Sequence, residues 1–331
     1  MTRRAAPASF ALTAALAGCT NDVQSSLSPV GDQAEAIGRL WNLTLAVSVV
    51  VYVLVLVAMV WAVWRHRRGT RPGPGDRAWS KALVVFVILT AGTLTVLTAA
   101  SYVTDRTLHA PPTDPLRVRI TANQWWWQVE YLADDPSKNV VTANELHLPV
   151  NRPVRIELAT TDVIHSLWIP VLAGKEDLIP GRKNVITMTP RHTGDYRGQC
   201  AEFCGLQHAN MALDVRVDDA RGFAAWYAHQ LQPAPALADP RAVAGQRIFN
   251  STGCALCHAV AGTQAGGRVG PDLTHLGSRR MLAAGTLPMD RMRLASWIAD
   301  PQRYKPGTNM PKVPMRSHEL DAVVEYLMEL K

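Results

Sequence analysis

Two apolar runs set the limits on what this chain can become. Leu40 to Trp64 (LWNLTLAVSVVVYVLVLVAMVWAVW) contains no charged residue, and Ala82 to Tyr102 is a second run of the same kind. As helices, each is long enough to cross a hydrocarbon core of about 30 Å. Neither reads as a buried soluble helix. The stretch between them, RHRRGTRPGPGDRAWSK, gathers Arg65, Arg67, Arg68, Arg71, Arg77 and Lys81. Short loops this rich in Lys and Arg remain in the cytoplasm, which places both termini outside. The two runs hold no histidine and no charged group, so they offer no metal ligand and no proton path by themselves.

The N-terminus agrees with that orientation. Arg3 and Arg4 precede a short apolar segment that ends in Leu16-Ala17-Gly18-Cys19. This looks like a bacterial lipoprotein signal, with residues 1–18 removed and Cys19 acylated. An ordinary signal peptide, or a retained arm with a chance cysteine, fits the same residues. A chain of 331 residues with such shifts in composition is expected to form several units. We read a hairpin over 35–105 with helices about 40–64 and 82–102, a β domain over 115–218, a helix and Pro/Ala linker over 219–239, and a last domain over 240–331.

After Tyr102 the hydrophobic period changes. Leu116, Val118 and Ile120 alternate with polar neighbours, as do Val154, Ile156 and Leu158, and Met211, Leu213, Val215 and Val217. Period two means half-buried strands. Turn signals at Asn151-Arg152-Pro153, Ile179-Pro180-Gly181 and Thr193-Gly194-Asp195 divide them, which predicts a small β-sandwich or barrel. On a loop between two strands lies QCAEFCGLQHANM, with Cys200, Cys204, His208 and Met211. Outside the cytoplasm a disulfide is the default for two cysteines. The C-x-x-x-C spacing differs from that of thiol oxidoreductases, and imidazole and thioether follow in the same loop, a soft ligand set that suits copper. A further histidine should come from another strand end, and His165 in TDVIHSLWIP stands in such a place.

These residues carry a resemblance. His165, Cys200-x-Glu202-x-Cys204, His208 and Met211, with IPGR and ANQWWWQVEY upstream, resemble the CuA domain of cytochrome c oxidase subunit II. The resemblance covers about residues 35 to 218 and implies a cupredoxin-like Greek-key barrel behind a transmembrane hairpin. It implies that Cys200 and Cys204 bridge two coppers, that His165 and Met211 complete one, and that His208 and the Glu202 carbonyl complete the other. It implies further that the Glu202 carboxylate reaches a magnesium shared with the catalytic subunit. Lys175 and Asp177 in AGKEDLIPGR resemble residues that face that subunit, although a solvated turn reads the same way. Trp125, Trp126 and Trp127 cannot all face the core of one strand, so at least one is expected to be exposed. A packing anchor at the membrane interface is one reading of the triplet. The resemblance makes Trp125 the residue through which electrons come in, with Trp127 on the same face.

Farther on, Asp218 to Gln230 reads as a helix, and the proline-rich LQPAPALADP reads as a linker. GCALCHAV then supplies C-x-x-C-H, the pattern of covalent c-type haem attachment through Cys254 and Cys257, with His258 as an axial ligand. A zinc ribbon would need another ligand pair, and no other cysteine remains nearby. Candidates for the sixth ligand are Met281, Met289, Met292, Met310, Met315 and His275. Met310 in YKPGTNMP lies in a Gly/Pro loop that resembles the methionine loop of class I cytochromes c, an all-α fold. Met289 and Met292 fall on a helix expected over Met289 to Ala299, and Ser317 to Leu330 reads as a closing helix.

The whole pattern resembles subunit II of a caa-type oxidase with a fused cytochrome c. That resemblance implies an oxidoreductase subunit in a bacterial plasma membrane, with haem-copper oxidase subunit I and other oxidase subunits as partners. It also implies cytochrome c or a cytochrome bc complex as electron donor, membrane lipid around the hairpin, and no nucleic acid. Oxygen reduction would then lie in another chain. A quinol oxidase subunit would lack the copper ligands, whereas a CuA-carrying subunit of a nitric oxide reductase is the alternative. The net charge of +7 is in part the cytoplasmic loop and does not identify the donor.

Overall fold

The computed structural model describes residues 23–69 and 75–331; the signal reading over 1–18, Cys19 and part of the basic loop lie outside them. The chain forms two compact units, Gln33–Pro111 and the remainder.

The first unit is the hairpin of α1 (Asp32–Arg67) and α2 (Asp76–Leu108). Both reach well past the apolar runs that predicted them. Their apolar windows have mean hydropathies of 2.9 and 2.3 with nothing buried. Helices that are apolar all round and unburied by protein need lipid as their solvent. Thr44 and Ser48 donate their hydroxyls to the carbonyls of Leu40 and Thr44 one turn back. Their polar groups therefore remain satisfied without water. Arg65 lies over Trp61 and Arg68 over Trp64, a cationic and aromatic end of the kind that sits at an interface.

The second unit contains a β-sandwich and a helical domain. One sheet has the order β3-β2-β1-β5-β8 and the other β4-β10-β9-β6-β7. In the first sheet run β1 (Leu116–Asn123), β2 (Trp126–Tyr131), β3 (Val140–Ala143), β5 (Val154–Thr160) and β8 (Asn184–Met188). In the second run β4 (Glu145–Pro149), β6 (His165–Trp168), β7 (Lys175–Leu178), β9 (Gly194–Cys200) and β10 (Ala212–Asp218). The alternation read from sequence is the packing. Val118, Ile120, Ile156, Leu158, Leu213 and Val215 are fully buried in one core. β1 lies parallel to β5 with Leu116 opposite Val154, which a simple hairpin cannot produce. Helix α3 (Ala220–Gln230) starts two residues later than the sequence reading, because Asp218 still belongs to β10. Asp219 caps the helix by accepting from the Gly222 N–H.

The helical domain is built on α4 (Pro240–Ser251), α5 (Cys254–Cys257), α6 (Arg291–Ala299), α7 (Pro301–Tyr304) and α8 (Ser317–Glu329). α6 begins at Arg291 rather than at Met289, since Asp290 caps it through the Arg293 N–H. A two-stranded ribbon of β11 (Met281–Leu282) and β12 (Leu287–Pro288) was not legible in the sequence. The core is made where α4 crosses α8, with Phe249 and Tyr326 edge to face at 5.5 Å. Gly245 permits this crossing, because a Cβ there would lie 1.9 Å from the Ala322 carbonyl oxygen.

Gly245→Ala should therefore destabilise the helical domain by about 1–3 kcal/mol, since overpacking outweighs the helix propensity gained. The check is its urea unfolding midpoint against that of the unaltered chain.

Candidate metal centre and haem site

β9 delivers Cys200 as its last residue, and Met211 immediately precedes β10, so residues 201–211 form a loop between adjacent strands. Its ends are closed by backbone bonds: Cys200 N–H donates to the Met211 carbonyl at 2.9 Å, and Ala201 N–H to the Ser166 carbonyl at 2.9 Å. The second bond ties the loop to β6, whose first residue is His165. Leu167 of the same strand pairs with Cys200.

The expected ligands meet at this corner. The Cys200 and Cys204 sulfurs lie 3.7 Å apart and form no disulfide. His165 Nδ1 is 3.7 Å from the Cys200 sulfur, and His208 Nδ1 is 3.6 Å from the Cys204 sulfur. The Glu202 carbonyl oxygen is 3.2 Å from the Cys200 sulfur. His165, Cys200 and Cys204 offer three ligand atoms within 4.8 Å of one another, and all three residues are buried. Met211 is completely buried at the end of the loop. Two unbonded sulfurs flanked by imidazoles form a soft donor set, and it fits copper.

The electrostatics point the same way. The Cys204 thiol shares its proton with Cys200, and together with His165 and nearby backbone groups it holds the Cys200 pKa well below the usual thiol range. The same sharing, reinforced by burial, pushes Cys204 up. Burial opposes charge on His165, but the Cys200 sulfur and the Asp162 carboxylate outweigh it and raise its pKa. Asp162 accepts from His165 Nε2 at 2.8 Å, so Nδ1 is aimed at the sulfurs. Burial works to raise the Asp162 pKa, yet His165 and the backbone N–H groups of Gln124 and Val163 hold it down.

Asp162 is the residue that sequence reasoning missed. Its one signal was its position three residues before His165. A carboxylate behind a ligating imidazole fixes the ring and raises its basicity.

The tryptophan triplet departs from expectation, because none of the three is exposed. β2 starts at Trp126, so Trp125 lies in the preceding turn, outside the strand alternation. It is buried, and its indole N–H donates to the Cys204 carbonyl at 2.9 Å. Trp127 is buried against His165, with ring centroids 6.2 Å apart. Lys175 pairs with the Glu202 carboxylate at 3.9 Å, and both side chains are about half exposed. Asp177 lies on β7 opposite Ser166, with its carbonyl accepting from the Asn184 amide.

In the helical domain, His258 Nδ1 lies 2.8 Å from the Pro271 carbonyl. A carbonyl can only accept, so Nδ1 carries the proton and Nε2 keeps its lone pair. Burial lowers the His258 pKa and favours that neutral form. A Cβ at Gly270 would come within 2.7 Å of this imidazole, so glycine leaves room for the ring. Cys254 and Cys257 are half-buried one helical turn apart. This arrangement fits a covalently held haem.

Among the candidates for the sixth ligand, His275 is engaged elsewhere, with its ring nitrogens near the Lys331 and Gln232 carbonyls. Met289 and Met315 pack against the core, and Met292 is exposed. Met310 is half-buried in its loop, and its carbonyl accepts from Gln302 at 3.2 Å.

Residues 132–217 match the family described as cytochrome c oxidase subunit II, periplasmic domain, and residues 242–331 match cytochrome c. The chain is 31% identical over 342 residues to cytochrome c oxidase subunit 2 of Alkalihalophilus pseudofirmus, covering 98% of this chain and 96% of that relative. The chain belongs to the cytochrome c oxidase subunit II family. The corresponding subunit of Bacillus sp. strain PS3 is 32% identical over 344 residues, covering 96% and 94%. A crystal structure of the periplasmic domain of subunit II from Bradyrhizobium japonicum covers 36% of this chain and 95% of its own, at 32% identity and a TM-score of 0.34. This subunit II therefore carries a fused cytochrome c unit and serves electron transfer in a membrane-bound haem-copper oxidase. Its His/Cys/Met corner implies CuA, and its C-terminal unit implies haem c.

Asp162→Asn should leave the β-sandwich folded yet weaken copper retention about 10- to 100-fold, the usual effect of losing such a second partner. Competition against a copper chelator, read by the copper absorption, measures it.

Proposed function

We propose that this subunit receives electrons from cytochrome c or a bc complex on its own haem c and passes them through binuclear CuA to a catalytic subunit that reduces O2 to water with proton pumping. In this reading both redox domains and the N-terminus face the extracytoplasmic side of a bacterial plasma membrane. When bound, the two groups supply one-electron chemistry with little change in geometry. Cys200, Cys204, His165, His208, Met211 and the Glu202 carbonyl would hold the copper, and Cys254, Cys257, His258 and Met310 would hold the haem. The half-exposed Glu202 carboxylate is available to a magnesium shared with the catalytic subunit.

The observation that carries this reading is where Trp125 sits. On one side its indole N–H holds the Cys204 carbonyl. On the other, a Cβ at Gly307, in the loop before Met310, would lie 3.7 Å from the Trp125 ring. The methionine loop of one domain thus meets the copper loop of the other across a single aromatic ring. A tether in one chain also gives an effective concentration on the order of millimolar.

Flash-induced oxidation of the haem in the intact oxidase should then proceed at a rate independent of dilution, while a rate proportional to concentration would refute the relay. Cys200→Ser should abolish the mixed-valence copper signal and leave covalent haem in place. Met310→Ala should keep the haem attached, lower its potential and admit carbon monoxide. If Met315→Ala does this instead, the axial assignment is wrong.

A further inference from the structure

We infer that Lys305 is a latch that holds the haem domain over Trp125, so that an external donor protein reaches the copper loop only by way of the haem. The inference rests on the relay reading above and names the group that fixes its geometry.

Lys305 follows α7 and opens the methionine loop, yet its side chain turns away from solvent and is only 2% exposed. Its ammonium donates to the Trp125 carbonyl at 2.8 Å, the Asn210 carbonyl at 2.8 Å and the Ala283 carbonyl at 3.2 Å. An ammonium has three protons and no acceptor, so these three carbonyls complete it. Two of them belong to the β-sandwich. Trp125 is the ring on the copper loop, and Asn210 directly precedes Met211. The third belongs to the turn between β11 and β12 of the haem domain.

An isolated haem domain would offer one acceptor, and a lysine left there would return to water. Burial of a charged group without full pairing is costly, so this arrangement has a physical reason only in the docked state. Burial also draws the Lys305 pKa down to about 7.

Its surroundings extend the contact. Gln207 donates to the Pro306 carbonyl at 2.8 Å, and the Ala212 N–H donates to the Ala284 carbonyl at 3.0 Å. At the rim, Arg280 holds Asp214 through two bonds and also pairs with Asp195. Part-buried rim pairs of this kind set register as well as strength. The contact leaves Trp125 just 7% exposed, so the ring offers no face to a second protein.

The first test uses the unaltered oxidase complex. After brief treatment with an amine-acylating reagent, peptide mass spectrometry should find Lys305 unmodified while the exposed Lys312 is labelled. Labelling of Lys305 as fast as Lys312 would overturn the latch. The second test is Lys305→Met, which keeps the length and removes the donors. With haem and copper spectra intact, flash-induced transfer from haem to copper should slow at least tenfold, and added soluble cytochrome c should begin to reduce the copper directly, in proportion to its concentration. Transfer at the original rate with the copper still inaccessible would overturn the latch while leaving the relay standing. A failure of the relay would show itself separately, as dilution dependence in the unaltered complex, and the protection of Lys305 is read without reference to it.

Discussion

Two sulfurs held 3.7 Å apart without bonding to each other are the constraint from which the rest of the redox end follows. Cys200 is immobilised by the strand pairing of β9 and by the backbone bond to Met211, so the loop cannot open without breaking the sheet. The Cys204 carbonyl, fixed by that loop, receives both the Trp125 indole and the Gln124 side-chain amide. The Trp125 carbonyl in turn receives Lys305 from the other domain. A hydrogen-bonded chain thus joins the sulfur loop to the haem domain.

How much of this was visible in the sequence depends on the range of the forces involved. The hairpin was legible because a lipid-facing helix must be apolar throughout. The strands were legible because a half-buried sheet imposes period two, as at Val118, Ile120, Ile156 and Leu158. The ligand loop and the haem motif were legible because metal and thioether chemistry demand particular side chains at short spacing. Asp162 was not, since an aspartate in a turn looks the same whether it holds an imidazole or faces water. The burial of Trp125 was invisible for a different reason: its cover comes from Gly307, far away in sequence, and no local pattern records a contact between domains. The β11–β12 ribbon was too short to show a period, and its turn uses positive φ at Ala283 and Ala284 as well as at Gly285, a bend that the single glycine does not distinguish from an ordinary loop.

The contact between the domains is also chemically lopsided. Around Trp125 it is made of backbone carbonyls and one lysine, while toward the edge it is made of arginine and carboxylate pairs at Arg279, Arg280, Glu145 and Asp214. Carbonyl acceptors are positioned by the folded backbone and do not change with side-chain rotamer. Placement is therefore tightest around Trp125, and at the edge the Arg279–Glu145 pair is buried while only the Arg280 pairs are part-exposed and screened by salt.

The close crossing at Gly245 has a consequence in time. The first helix of the haem domain is synthesised well before α8, the helix against which it packs, and the C-x-x-C-H segment emerges between them. Until α8 arrives, Phe249 lacks its partner Tyr326 and the core cannot close. Closure of this core therefore waits on the last helix of the chain, and the segment between the two helices is enclosed only when both are in place.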